Sequence, residues 1–177
     1  MVYNKSFGYH TYKKLNKLEN NHVFDLSSIT KILATMPLVI QEYEAGNLSL
    51  NTRLNQLFPK KKLADKGEIT LIEMLSHYAR FRPWIPFYEE TLNRKEKPKT
   101  RFYKTNLRSS FSTPVTENLF LKRNYKEKIF KSIVESELIE KLEFKYSDLP
   151  FYFLKFWFED IYSCLLYTSD AADDCWS

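Results

Sequence analysis

Ser28 and Lys31 stand three residues apart in Phe24-Asp25-Leu26-Ser27-Ser28-Ile29-Thr30-Lys31, and their side chains can do chemistry together. On a helix this spacing puts the hydroxyl and the amine on one face, one turn apart. An unprotonated amine there can take the hydroxyl proton and make Ser28 a nucleophile. The spacing alone is weak, because a chain with 14 Ser and 20 Lys among 177 residues produces it by chance. By themselves, Ser28 also suits a helix cap and Lys31 a solvated first-turn position.

The elements that must position this pair follow from pattern. The segment Val2–Tyr12, rich in Tyr and Phe, reads as a strand with a bend near Gly8. Ser28–Ala45 reads as a helix. Ser27 or Asp25 can cap its start, Gly46 occupies the position after its end, and Pro37 kinks it or marks a second N-terminus. Leu48–Phe58 reads as a loop-rich connection, and Ile69–Ser76 as a short helix with Leu71, Met74 and Leu75 buried. Tyr125–Leu138 places Tyr125, Ile129, Ile133, Val134 and Leu138 on one helical stripe. A last helix begins near Ser147 or Asp148 with Pro150 in its first turn, turning Phe153, Phe156, Trp157 and Ile161 inward as core. Strand patterns are scarce after Ser28, so the expected class is α+β, with the sheet at the N-terminus.

The length suits one domain. No run of about 18 apolar residues is present, so no membrane span is expected, and residues 1–5 lack the apolar stretch of a secretory signal. The net charge of +5 is concentrated in Leu92–Arg108, where seven basic residues face one acid, Glu96, and the rest of the chain is close to neutral. That stretch reads as a solvated surface insertion rather than a site for an anionic partner. No zinc-finger spacing or phosphate-binding glycine loop accompanies it, which argues against nucleic acid as a partner. Cys164 and Cys175 fall in the last 14 residues and His10, His22 and His77 are scattered, so neither metal nor other cofactor is expected.

Three segments together resemble the β-lactamase-related serine hydrolases, the superfamily of class C β-lactamases, D-alanyl-D-alanine carboxypeptidases and related esterases. Residues from Phe24 through Pro37 to Leu50 resemble that family's nucleophile helix. Ile69-Thr70-Leu71-Ile72-Glu73-Met74-Leu75-Ser76-His77 is similar to its Leu-x-x-His segment, and Tyr146-Ser147-Asp148-Leu149 to its Tyr-x-Asn motif, with Asp148 in place of Asn. The phrase Pro83-Trp84-Ile85-Pro86-Phe87-Tyr88, together with Tyr146-Ser147-Asp148-Leu149, looks like a bacterial subgroup often fused behind a glycoside hydrolase family 3 β-N-acetylglucosaminidase.

The resemblance implies a partial β-lactamase/transpeptidase-like fold over residues 1–163 and acyl transfer on a small ester, an amide or a cell-wall peptide. It implies a bacterial periplasm or cell envelope as the location. The catalytic residues it implies are Ser28, Lys31, Tyr146 and Asp148. Ser28 attacks the carbonyl, Lys31 holds or accepts the proton, and Tyr146 assists from the opposite wall. A phenol with an ordinary pKa of about 10 acts as a base only when an ammonium such as that of Lys31 stabilises its phenolate. The Ser28 N–H supplies half of an oxyanion hole. Asp148 departs from the pattern, since an amide both donates and accepts hydrogen bonds whereas a carboxylate only accepts. His77 reads as a hydrogen-bonded packing residue.

A Lys/His-x-Gly strand is expected after Tyr146 and does not occur. Residues 164–177 read as a non-native, adapter-derived tail, and the chain reads as a fragment that is inactive alone. The reading from another class is a non-catalytic module of the same fold that binds peptidoglycan or a partner.

Overall fold

The computed structural model describes residues 3–162. The site's two halves come from two helical regions. The first starts with a 3-10 turn at Ser27–Ile29 and a π turn at Lys31–Thr35 before α1 (Met36–Glu44). Pro37 lies in the first turn of α1, where its missing N–H costs nothing, so it marks a new N-terminus as the sequence suggested. The widened turn lies directly before it, with the Met36 N–H bonding back to the Lys31 carbonyl. Gly46, at φ +78°, lies past the helix end. Its N–H bonds the Tyr43 carbonyl, an end that a left-handed glycine makes without strain.

Two short helices follow, α2 (Leu54–Leu57) and α3 (Leu71–Leu75). Thr70 caps α3 reciprocally: its hydroxyl accepts from the Glu73 N–H, and the Glu73 carboxylate accepts from the Thr70 N–H at 2.8 Å. Leu71 and Met74 are fully buried and Leu75 half-buried. The helices α4 (Tyr125–Glu135) and α5 (Leu149–Tyr162) complete the helical part.

The core sits around α5. Leu149, Phe153, Leu154 and Phe158 meet Leu71 and Met74 of α3, and Phe130 and Ile133 of α4, in one buried cluster. Aromatic edges set its packing: Phe153 lies 5.4 Å from Phe130, 5.8 Å from Phe81 and 6.0 Å from Phe58, centroid to centroid. The α5 N-terminus is fixed by Ser147, whose hydroxyl accepts from the Leu149 N–H and donates to the Arg82 carbonyl. The Asp148 N–H donates to the Pro83 carbonyl at 2.9 Å, and Pro150 falls in the first turn.

Helices plus a small antiparallel sheet make an α+β arrangement, but the sheet is not where the sequence placed it. It comprises β1 (Tyr103–Lys104), β2 (Thr113–Thr116) and β3 (Leu119–Leu121) in the order β1-β3-β2. Tyr103 pairs with Leu121 and Thr113 with Leu121 across β3, and the register shifts between Pro114 and Thr116. The sheet edge therefore lies partly inside the basic stretch 92–108 that reads as a loop.

Among the described residues of 2–12 there is no strand. Gly8, at φ +86°, turns the chain, and a single bridge joins Tyr9 to Lys17. Three further readings are corrected. The 48–58 connection contains α2. The helix read to Leu138 stops at Glu135, and Phe130 joins its buried side. Ile161 is 44 % exposed, because it lies in the last turn of α5, past the core. The proposed tail, 164–177, lies outside the described residues. No described helix is long and apolar enough to cross a membrane.

Candidate active site

Ser28 lies in the 3-10 turn and Lys31 opens the π turn that follows, three residues on along one helical face. The Lys31 Nζ donates to the Ser28 Oγ at 3.1 Å. The chain enters this turn through Ser27 at φ +46°, a costly conformation for a residue with a side chain. The Asp25 carboxylate supports it by accepting from the Ser27 N–H at 2.8 Å. Neither Ser27 nor Asp25 caps the helix as the sequence suggested, since no side-chain bond is made at its N-cap, Leu26. Ser28 stands exposed, whereas the Lys31 side chain is only 15 % exposed.

From the other wall, Asp148 at the start of α5 accepts from Lys31 Nζ at 2.6 Å, joining residues 117 apart in sequence. Lys31 Nζ also lies 5.1 Å from the Tyr146 ring centroid and 5.5 Å from that of Phe151. All four residues that the resemblance singled out therefore share one place, and their relation is electrostatic. Burial pulls the Lys31 pKa down, but hydrogen bonds with Asp148 and Tyr146, and the charge of Asp148, more than offset it and hold the ammonium above its usual range. Hydrogen bonding with Lys31, then with Ser28, lowers the Tyr146 pKa below its ordinary value, while Asp148 opposes the shift. Lys31 is thus the standing cation of the site, and the phenol is made readier to lose its proton.

A cleft of about 280 Å³ opens beside Ser28, its walls including Lys31, Asp148, Phe151, Tyr152 and Lys155. Phe151, Tyr152 and Lys155 did not emerge from the sequence reading. The signal was present: they lie three, four and seven residues after Asp148, the spacing of one helix face. Burial raises the Tyr152 pKa first and the Asp148 charge adds to it, so its hydroxyl stays protonated. Lys155 is ion-paired with Glu159 one turn on. His77 packs on Tyr146 with ring centroids 4.5 Å apart. Among the described residues, no three His, Cys, Asp or Glu side chains gather in a way that could hold a metal ion.

Ser28 and Lys31 thus line the cleft together with Asp148, and Tyr146 lies beside Lys31. The sequence profile of the Beta-lactamase family matches residues 1–113, and the chain belongs to that family. The matched region contains Ser28 and Lys31 and ends before Tyr146. No curated protein and no solved structure matches the chain.

Proposed function

We propose that this chain carries the acyl-transfer site of a serine hydrolase, with Ser28 as nucleophile, Tyr146 as the proton acceptor, Lys31 as the cation that stabilises the phenolate, and Asp148 as the counter-ion of Lys31. The observation that carries the reading is the Lys31 ammonium, bonded to both Ser28 and Asp148 and lying beside Tyr146. An ammonium cannot accept a proton, so the base is the neighbour it stabilises. Ser28 Oγ bonds to the carbonyl carbon of an ester or amide as its proton passes to Tyr146. The carbonyl oxygen becomes the oxyanion, for which the Ser28 N–H is a donor. Collapse expels the alkoxide or amine, which takes the proton from Tyr146 and leaves an acyl group on Ser28. Water then attacks the acyl-enzyme by the same route in reverse.

The cleft suits a small or extended acyl substrate, with Phe151 and Tyr152 as apolar wall and Lys155 at its margin. A cell-wall peptide and an envelope location belong to the same proposal and rest on the family resemblance, and a fused family 3 glycosidase rests on residues 83–88 and 146–149.

The test is covalent labelling with a fluorophosphonate followed by peptide mapping. The phosphonyl group is expected on Ser28, slowly because no Lys/His-x-Gly stretch follows Tyr146 to supply a second oxyanion donor, and absent from Ser28→Ala. Lys31→Ala slows the labelling about 100-fold or more, the scale of a lost proton-transfer partner. Labelling at another residue, or none, removes the catalytic reading and favours the non-catalytic binding module.

A further inference from the structure

His77 belongs to no step of that reaction, yet its contacts bracket Tyr146. Its carbonyl accepts from the Lys145 N–H at 2.9 Å, and its Nδ1 accepts from the Ser147 N–H at 3.2 Å. The residues on both sides of the tyrosine are therefore bonded to one histidine. Its ring lies against the Tyr146 ring, and Phe144 and Phe151 close round it at 5.9 and 5.8 Å. His77 follows α3 at φ +62°, out of the helical path. A side-chain residue adopts that left-handed conformation at a cost, and it persists when surrounding contacts hold it.

We propose that neutral His77 is a positioning residue that holds Tyr146 against Ser28 and Lys31, and that its protonation releases the tyrosine. This rests on the acyl-transfer reading only for its effect on rate. A ring that accepts at Nδ1 carries its proton at Nε2. A second proton would turn Nδ1 into a donor facing the Ser147 N–H, and the grip would be lost. The titratable groups facing the ring are Tyr146 in contact, and Lys31 and Asp148 through their charges. Burial lowers the His77 pKa, with Lys31 adding to the shift and the charge of Asp148 opposing it. The ring is thus kept neutral at the pH where Tyr146 must act.

The test compares the full chain with His77→Gly and His77→Asn. Glycine removes the ring and accepts the left-handed φ without strain, so folding is kept. Asparagine also tolerates that φ and offers its carbonyl where Nδ1 stands. With tyrosine labelled at 13Cζ and Tyr146 assigned from Tyr146→Phe, the NMR titration midpoint of Tyr146 is expected to rise in His77→Gly and to return most of the way in His77→Asn. Fluorophosphonate labelling of Ser28 slows about tenfold or more in His77→Gly, the scale of a misplaced catalytic group, and recovers in His77→Asn. In the unaltered chain the plot of log rate against pH steepens from a slope of about one to about two below the His77 pKa, whereas His77→Asn keeps the single slope. An unmoved Tyr146 midpoint in His77→Gly, or a His77→Asn chain as impaired as His77→Gly, would overturn the proposal. If the unaltered chain is not labelled, the acyl-transfer reading falls, and the Tyr146 titration still decides the role of His77.

Discussion

Replacing Asp148 by Asn removes one charge and little else. The backbone bonds at that position, from the Asp148 N–H to Pro83 and from the Phe151 and Tyr152 N–H groups to the Asp148 carbonyl, do not depend on the side chain. Asn starts helices as well as Asp does. The charge itself matters, because two unit charges 2.6 Å apart attract by about 1.6 kcal/mol in water and about 6 kcal/mol at an effective dielectric constant of 20. The Asp148 side chain is 41 % exposed, which places the pair near the weaker limit. A difference of about 1.4 kcal/mol is tenfold in an equilibrium. Without Asp148, burial of Lys31 is no longer offset by its main partner, and the phenolate of Tyr146 loses a repulsive neighbour. The loss of that repulsion favours deprotonation of Tyr146, the acceptor of the Ser28 proton. The profile of fluorophosphonate labelling rate against pH is expected to move to lower pH by about one unit, with labelling up to about tenfold faster at pH 7. An unchanged profile, or one displaced to higher pH, would refute the electrostatic account.

Two further outcomes test the packing. Lys66 is fully buried, its ammonium donating to the Asp65 carboxylate and to the Ser136 carbonyl, each at 2.6 Å, so it ties the 3-10 turn at Ala64–Lys66 to the end of α4. Lys66→Ala leaves a cavity and an unpaired carbonyl and should cost about 3 kcal/mol in urea unfolding, with Lys66→Met losing roughly half as much. Phe153→Ala, at the centre of the aromatic cluster, should cost about 3–5 kcal/mol, and a loss under about 1 kcal/mol would place the core elsewhere.

Where side chains mark local geometry, the sequence was readable. Thr70 and Glu73 form a reciprocal cap, Pro37 and Pro150 start helices, and Gly46 ends one; each is a preference written in a single residue. The Ser28–Lys31 pair was legible for the same reason, since its spacing is local. What decides the rest is pairing at a distance. Residues 2–12 have strand-forming side chains but no partner strand among the described residues, and a lone strand has nothing to bond. The strands that do pair are two to four residues long, too short for alternation to show, and β2 contains a proline. In α5 aromatics occupy seven of the fourteen positions and fall on every side of the helix, so no stripe separates Phe158, which is buried, from Ile161, which is not. Asp148 was legible as a substituted asparagine, but its ion pair with Lys31 across 117 residues was not, because nothing local encodes it.

That ion pair also opposes stability to reactivity, and the opposition can be measured. Lys31 lies in the π turn behind the nucleophile and Asp148 at the start of α5, so their bond joins the two walls of the cleft. Lys31 has a pKa raised above its ordinary 10.5 in the folded chain, its burial being outweighed by the bonds it makes. A cation of this kind contributes stability that is complete below the unfolded value and is lost as pH rises through the folded one. Asp148→Asn should therefore lower the midpoint of thermal unfolding at neutral pH. The lost pair is worth about 1 kcal/mol at this exposure, and the lost carboxylate at a helix N-terminus adds about 0.5 kcal/mol. Together they amount to a shift of about 3–6 °C for a chain of this size. The gap between the two proteins should narrow above pH 10.5, as Lys31 loses its proton in the unaltered chain, leaving only the part due to the helix N-terminus. A variant that is both more reactive and less stable at pH 7 is what a carboxylate holding a catalytic cation in place requires. If Asp148→Asn is as stable as the unaltered chain at neutral pH, the carboxylate does not brace the two walls, and its effect on the site is confined to charge.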